Sequence, residues 1–213
     1  VSGDITCDIH VIQRLQPVLR QGKWHVTVAL RDGHQIVAIW PGLKDQIAGV
    51  AIDVGSTTRA AHLCDMVTGT VLASTGTMNP QIRFGEDLMS RVSYGIMNPG
   101  GAAEMTKAVI AGLQTLIDGA AKQSGLSGED IVELVLVGNP VMHHLLLGID
   151  PVELGGAPFA LAVDAAMDAR AAELGLAINP GGRVYILPCI AGHVGADAAA
   201  VVLAEAPQKA DEM

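Results

Sequence analysis

The sequence predicts an α/β layer fold preceded by a small α+β piece. Three observations carry that prediction: three strand-like runs in succession from Val50 to Thr77, an alternation of helical segments with continuous apolar strands after residue 100, and an aliphatic-rich composition. Hydrophobic residues fill 50% of the 213 positions and charged residues 16%, below the roughly 25% usual in soluble domains. Aromatics reach only 3%, so the core is expected to be built from aliphatic side chains and alanine.

At the amino end, Asp8 to Leu19 reads as a short helix interrupted by Pro17. Arg31-Asp32-Gly33-His34 then separates two β-branched runs, and Asp-Gly at that place is a hairpin signal because the turn needs positive φ. Residues 1–48 are too few to stand alone and read as the C-terminal part of another domain. A buried strand, Val50 to Val54, runs into Gly55-Ser56-Thr57-Thr58, followed by strands from Ala60 to Met66 and from Val71 to Thr77. A short helix is expected over Gly85 to Tyr94 and a long amphipathic one from Ala102 to about Ser124, where Met105, Val109, Leu113, Leu116 and Ile117 recur at helical spacing and Gly125 stops it. Val132 to Val137 is a continuous apolar strand suited to the middle of a two-faced sheet. Asn139-Pro140 opens a helix ending near Gly148, and Asp164 to Leu174, rich in alanine, reads as helical. Val184 to Leu187 is a strand, and Val194 to Ala206 forms the last helix, expected to be buried. Residues 207–213 read as a disordered tail.

Composition also excludes function classes. Thirteen basic against 22 acidic residues leave a net charge of −9, which repels phosphate backbones, and scarce aromatics leave few platforms for bases. Nucleic acid is not an expected partner. A mean hydropathy of +0.39 invites a membrane reading, yet no stretch approaches the roughly 20 apolar residues of a span, and no signal peptide is visible. Cys7, Cys64 and Cys189 are odd in number and far apart, which points to reduced thiols in a cytoplasmic protein.

The most informative segment is Asp53-Val54-Gly55-Ser56-Thr57-Thr58, where an apolar strand must turn sharply into the next. Glycine lets backbone approach an anion, and the amides and hydroxyls of Ser56, Thr57 and Thr58 can donate to phosphate oxygens. Asp53 at the strand's carboxyl end suits a Mg²⁺ ion held through water. The lysine of a P-loop is lacking, and an ordinary glycine-serine turn also fits these six residues. Gly138 and Asn139 either place an amide at a nucleotide cleft or cap the helix at Pro140. Asp197 either pairs with a helix dipole or faces Asp53 across a hydrated metal. Arg83 and Arg91 either touch phosphate or a partner protein or are ordinary exposed arginines. His143 and His144, adjacent on a helix, cannot chelate one ion as residues four apart can, and are expected to be one satisfied core histidine and one at a surface or partner contact.

The Asp53–Thr58 turn resembles the first phosphate motif of the acetate and sugar kinase, Hsp70 and actin ATPase superfamily. Asn79-Pro80-Gln81, Phe84-Gly85-Glu86-Asp87, Ser90-Arg91, the run Gly138 to Gly148, and Gly192-His193-Val194-Gly195-Ala196-Asp197 resemble, in order, the ATP-dependent reductive activators of corrinoid proteins. That resemblance implies a ribonuclease H-like lobe of actin/Hsp70 type over residues 49–206, after the end of a middle domain over 1–48. It further implies Asp53 and Asp197 as catalytic carboxylates, and Gly55, Ser56, Thr57, Thr58, Gly138, Asn139, Gly192 and Gly195 as nucleotide contacts. ATP and Mg²⁺ are the implied cofactors, with a [2Fe–2S] cluster in an amino-terminal domain that this sequence lacks. The implied activity is ATP-driven reduction of Co(II) corrinoid to Co(I) for a corrinoid protein or corrinoid-dependent methyltransferase, in a possible homodimer. The chain then reads as a piece of a longer protein that alone binds ATP poorly and hydrolyses none. A docking or oligomerisation module, or the lobe of a sugar kinase, acetate kinase or dehydratase activator, is the competing expectation.

Overall fold

The computed structural model describes residues 4–206. A three-stranded sheet opens the chain. β1 (Thr6–Cys7) lies parallel to β3 (Gln35–Pro41), which pairs antiparallel with β2 (Val26–Arg31) across the Asp32-Gly33 turn. Both turn residues have positive φ, 51° and 73°, as the hairpin signal required. Helix α1 (Ile9–Gln21) packs on this sheet through Val11 and Val18 against Ile39. It runs through Pro17 without interruption, contrary to the sequence expectation.

The larger sheet has the order β6-β5-β4-β7-β9-β8. β4 (Ala48–Val54), β5 (Thr58–Asp65) and β6 (Val71–Met78) form the antiparallel meander, and β7 (Ile131–Gly138) and β9 (Arg183–Ile186) continue parallel to β4. This is the strand arrangement of the ribonuclease H-like lobe of actin-type ATPases. β4 sits centrally because Val50, Ile52 and Val54, all about 2% exposed, present one face to the core. That face is covered by α2 (Leu88–Met97), α3 (Gly101–Ser124) and α4 (Pro140–Leu146), through Val92, Met105, Leu113, Leu116, Leu145 and their neighbours. Pro at the first position of α4 costs no hydrogen bond, and Asn139 caps it by accepting from Met142 N at 2.9 Å.

Two further expectations fail. The alanine-rich stretch near residue 170 is not a helix: β8 (Met167–Arg170) extends the sheet antiparallel to β9, and only 171–174 makes a single 3₁₀ turn. Local propensity loses there to tertiary pairing, in which the Asp168 carboxylate bonds the Arg31 and Arg183 guanidiniums. The last helix, α5 (Ala196–Glu205), lies on the opposite face of the large sheet, and Val201, Val202 and Leu203 are 61%, 49% and 76% exposed. It is not buried. The tail expected over 207–213 lies outside the described residues.

The amino-terminal piece is docked on the lobe. Ala29, Val37, Ala38 and Trp40 share a buried cluster with Val132, and ion pairs Arg14–Glu129 (2.7 Å), Lys44–Asp130 (2.9 Å) and Arg170–Asp8 (3.3 Å) ring it. Among the described residues no helix is long and apolar enough to cross a membrane, and no three His, Cys, Asp or Glu side chains gather as metal ligands. Cys7, Cys64 and Cys189 are free.

Candidate functional site

β4 ends at Val54, and Gly55 to Thr57 bend the chain back into β5. The bend is tight: a Cβ built on Gly55 would stand 2.4 Å from the Thr58 carbonyl oxygen, so a side chain cannot be accommodated without opening the turn. Its carbonyls are all engaged from the protein side. Asn79 Nδ2 donates to Gly55 O at 2.8 Å, Asn79 N donates to Thr57 O at 2.7 Å, and the Arg91 guanidinium donates to Ser56 O. Asn79 is itself fixed as the cap of the 3₁₀ turn Pro80–Phe84, accepting from Gln81 N at 3.0 Å. Arg91 is fully buried, with Nε on Gly85 O at 3.1 Å and Nη1 on Met142 Sδ at 3.0 Å.

Fastening the carbonyls inward leaves the opposite side of each peptide to the solvent. Thr57 and Thr58 are exposed, and Gly55 and Ser56 are half-buried. A bend with its acceptors taken and its hydroxyls free is a surface for an anion rich in acceptor oxygens.

Asp53 alternates to the face opposite the core, the face on which α5 packs. Asp197 occupies the first turn of α5. Partial burial and the facing Asp197 charge both push the Asp53 carboxyl above the usual carboxylate range. Two carboxylates that repel one another at the mouth of a sheet fit a divalent cation, whose charge would relieve both. Asp53 and Asp197 are the residues that would hold such an ion.

The third wall is brought in by close backbone approach. A Cβ on Gly138 would lie 3.0 Å from Val54 O, and one on Gly195 would lie 2.5 Å from Gly138 O and 2.8 Å from an Asp197 carboxylate oxygen. The ends of β4 and β7 and the start of α5 are therefore stacked in contact, at the carboxyl edge of the parallel strands where open α/β sheets bind ligands. Asp53, Gly55, Ser56, Thr57, Thr58, Gly138, Asn139, Gly195 and Asp197 share this edge. Asn139 spends its side-chain oxygen on the α4 cap. Gly192 does not join them through its own contacts: it packs under Phe159, whose carbonyl oxygen would be 2.2 Å from an added Cβ. His193 meets the same phenyl ring edge-on at 4.5 Å.

Beside the site, a cavity of about 490 Å³ is lined by Ala51, Asp53, Ala60, Val135, Val137 and Leu203. Arg91 is not the exposed arginine that the sequence allowed for and belongs instead to the interior support of the turn. His144 is the satisfied core histidine, with Nδ1 on Pro140 O at 2.9 Å and Nε2 accepting from Ala162 N at 3.0 Å. His143 is equally buried, so neither histidine stands at a surface, and among the described residues neither His143 ring nitrogen has a partner. Burial, with His144 adding to it, lowers its pKa to about 4.

Comparison with known proteins follows the same division of the chain. Residues 48–209 match the model of the RACo middle region, and residues 1–46 that of the RACo linker region. The chain is 34% identical over 181 residues to the corrinoid activation enzyme RamQ of Eubacterium limosum, a match covering 84% of this chain and 30% of that protein. It superposes on a solved structure titled reductive activator for corrinoid, iron-sulfur protein, with a TM-score of 0.85 at 34% identity, covering 99% of this chain and 34% of that one. The chain thus spans about a third of the length of these relatives. With both regions matched in order and the fold shared along nearly its whole length, the chain belongs to the RACo family.

Proposed function

We propose that this chain is the linker and first ATPase lobe of an activator that uses ATP to drive reduction of Co(II) corrinoid to Co(I) on a corrinoid protein or corrinoid-dependent methyltransferase. The observation that carries the reading is the bend at residues 55–57, whose three carbonyls are tied back by Asn79 and Arg91. In this reading the amides and hydroxyls of Gly55, Ser56, Thr57 and Thr58 hold nucleotide phosphate. Asp53 and Asp197 hold a hydrated Mg²⁺, with Gly138, Asn139 and Gly195 shaping the cleft. Bound Mg²⁺ supplies charge neutralisation between phosphate oxygens. Arg91 and Asn79 keep the bend from relaxing, so the donors are already placed when phosphate arrives. The electron comes from a [2Fe–2S] centre outside this chain, and nucleotide turnover biases the conformation in which transfer to cobalt occurs. A cytoplasmic setting and a homodimer accompany the proposal.

In the complete activator carrying this chain as its linker and middle regions, Asp53→Ala abolishes ATP-dependent formation of Co(I), followed by its absorbance, while capture of the corrinoid protein persists. Full activity in that variant overturns the nucleotide role of the site. The docking-module reading draws on the uncovered apolar surface of α5 at Val201, Val202 and Leu203. It requires the reverse result: activity independent of Asp53, and loss of capture when Leu203 is made charged.

A further inference from the structure

Two residues beyond the bend, the chain places a cation that no anion meets among the described residues. Arg59 pairs with Val54 in the sheet register and points to the core face, toward α3. It is 3% exposed. Its Nη2 reaches Met78 O only at 3.5 Å, and among the described residues Nε and Nη1 have no partner. The sequence makes room for it: a Cβ on Gly112 would fall 1.9 Å from Nη1. Glycine in the middle of a 24-residue helix costs about 1 kcal/mol against alanine, so the recess under the guanidinium is maintained at the helix's expense. An unpaired buried guanidinium is itself unfavourable, and such groups normally carry a counter-ion.

Arg59 lines a cavity of about 390 Å³ between β5, β6 and α3, within the range of small-molecule sites. Met78, Pro80, Ala108 and Ala111 give it apolar walls, and no Asp or Glu lines it. Thr77 and Thr115 already donate their hydroxyl protons to the Met78 and Ala111 carbonyls. Arg83 stands at the rim, 64% exposed, stacked on Phe84 and 3.8 Å from Glu104. One uncompensated positive charge therefore remains, with apolar surface around it.

We propose that this cavity is a binding site for a small monocarboxylate with a short aliphatic body, its head group against Arg59 and its chain against Met78, Pro80 and Ala111. A phosphate ester is the poorer fit, because the one buried guanidinium balances one negative charge, Arg83 at the rim shares its charge with Glu104, and the Thr77 and Thr115 hydroxyl protons are already given away. The site is separate from the nucleotide turn and does not depend on its assignment.

The test uses butyrate as probe on the 213-residue chain at pH 7 and constant ionic strength, with butyramide as its neutral isostere, and sodium chloride and inorganic phosphate as controls. Butyrate raises Tm saturably, by about 3–5 °C once tenfold above its Kd, and the other three do not. Arg59→Met, which removes the buried charge at similar volume, leaves the unliganded chain at least as stable and abolishes the butyrate response, whereas Asp53→Asn retains it. Should Arg59→Met not fold, the Arg59 Nε–H resonance of the unmodified chain still moves on titration with butyrate and stays fixed with butyramide. An equal response to butyramide or chloride, a response kept in Arg59→Met, or an Nε–H resonance indifferent to butyrate overturns the site. A stronger response to phosphate than to butyrate overturns the carboxylate assignment.

Discussion

At the residue scale the site is a set of conflicts held in place by neighbours. Asp53 illustrates the sign. Its folded-state pKa lies above the ordinary carboxylate value, so the folded chain holds the proton more tightly than the unfolded one, and stability falls as pH rises through that window. At neutral pH the ionised Asp53 opposes folding. Asp53→Asn is therefore expected to raise Tm of the unliganded chain by about 1–2 °C, measured by thermal unfolding at pH 7. Arg91 acts in the other direction. Lysine at 91 cannot reach Ser56 O, Gly85 O and Met142 Sδ together, and leaves at least one buried acceptor unpaired. Arg91→Lys should cost about 1–3 kcal/mol in urea unfolding. The hexapeptide from Asp53 to Thr58 was legible because strand, glycine and hydroxyls are adjacent in sequence. Asn79 and Arg91 were not legible as site residues, because their partners are backbone carbonyls, which carry no side-chain signature. Asn79 entered the sequence reading only through the resemblance carried by Asn79-Pro80-Gln81.

Elements were legible where periodicity and turn chemistry agree with tertiary demand. The meander β4–β6, helix α3 and strand β7 follow the expected positions, since each is long or strongly patterned. β8 was hidden because an edge strand of four residues is specified by its pairing with β9 and by the Asp168–Arg183 contact, not by propensity. Helix α5 has an apolar sequence that predicts burial, but it covers only part of the outer sheet face. Helix α4 carries a pH dependence of its own. His143 is neutral when folded, with a pKa near 4, against about 6.5 when unfolded. Below pH 6.5 the unfolded chain takes up the proton first, so stability declines progressively as pH falls from 6.5 toward 4, by up to about 3 kcal/mol. His143→Leu should flatten that slope in denaturation midpoints measured across pH 4–7. An unchanged slope would place the titration elsewhere.

At the scale of the whole molecule, the sheet order puts three separate segments of the chain on one edge. β4 and β7 are parallel neighbours, so their carboxyl ends coincide, and the glycine at 195 lets α5 start directly against them. The residue patterns named these segments and left Asp197 facing Asp53 as one of two alternatives; their juxtaposition arises from the crossover of α3 between β6 and β7. The same geometry joins the amino-terminal piece to the lobe through Trp40, Val132 and the Arg31–Asp168 pair. The central claim is that the bend after β4 receives nucleotide phosphate, and amide resonances of the 213-residue chain during titration with millimolar Mg·ATP test it most directly. Dose-dependent shifts centred on Gly55, Ser56, Thr57 and Gly138, saturating only in the millimolar range and absent in Asp53→Asn, are the predicted result. Shifts that bypass those residues, or that persist unchanged in the variant, would contradict it.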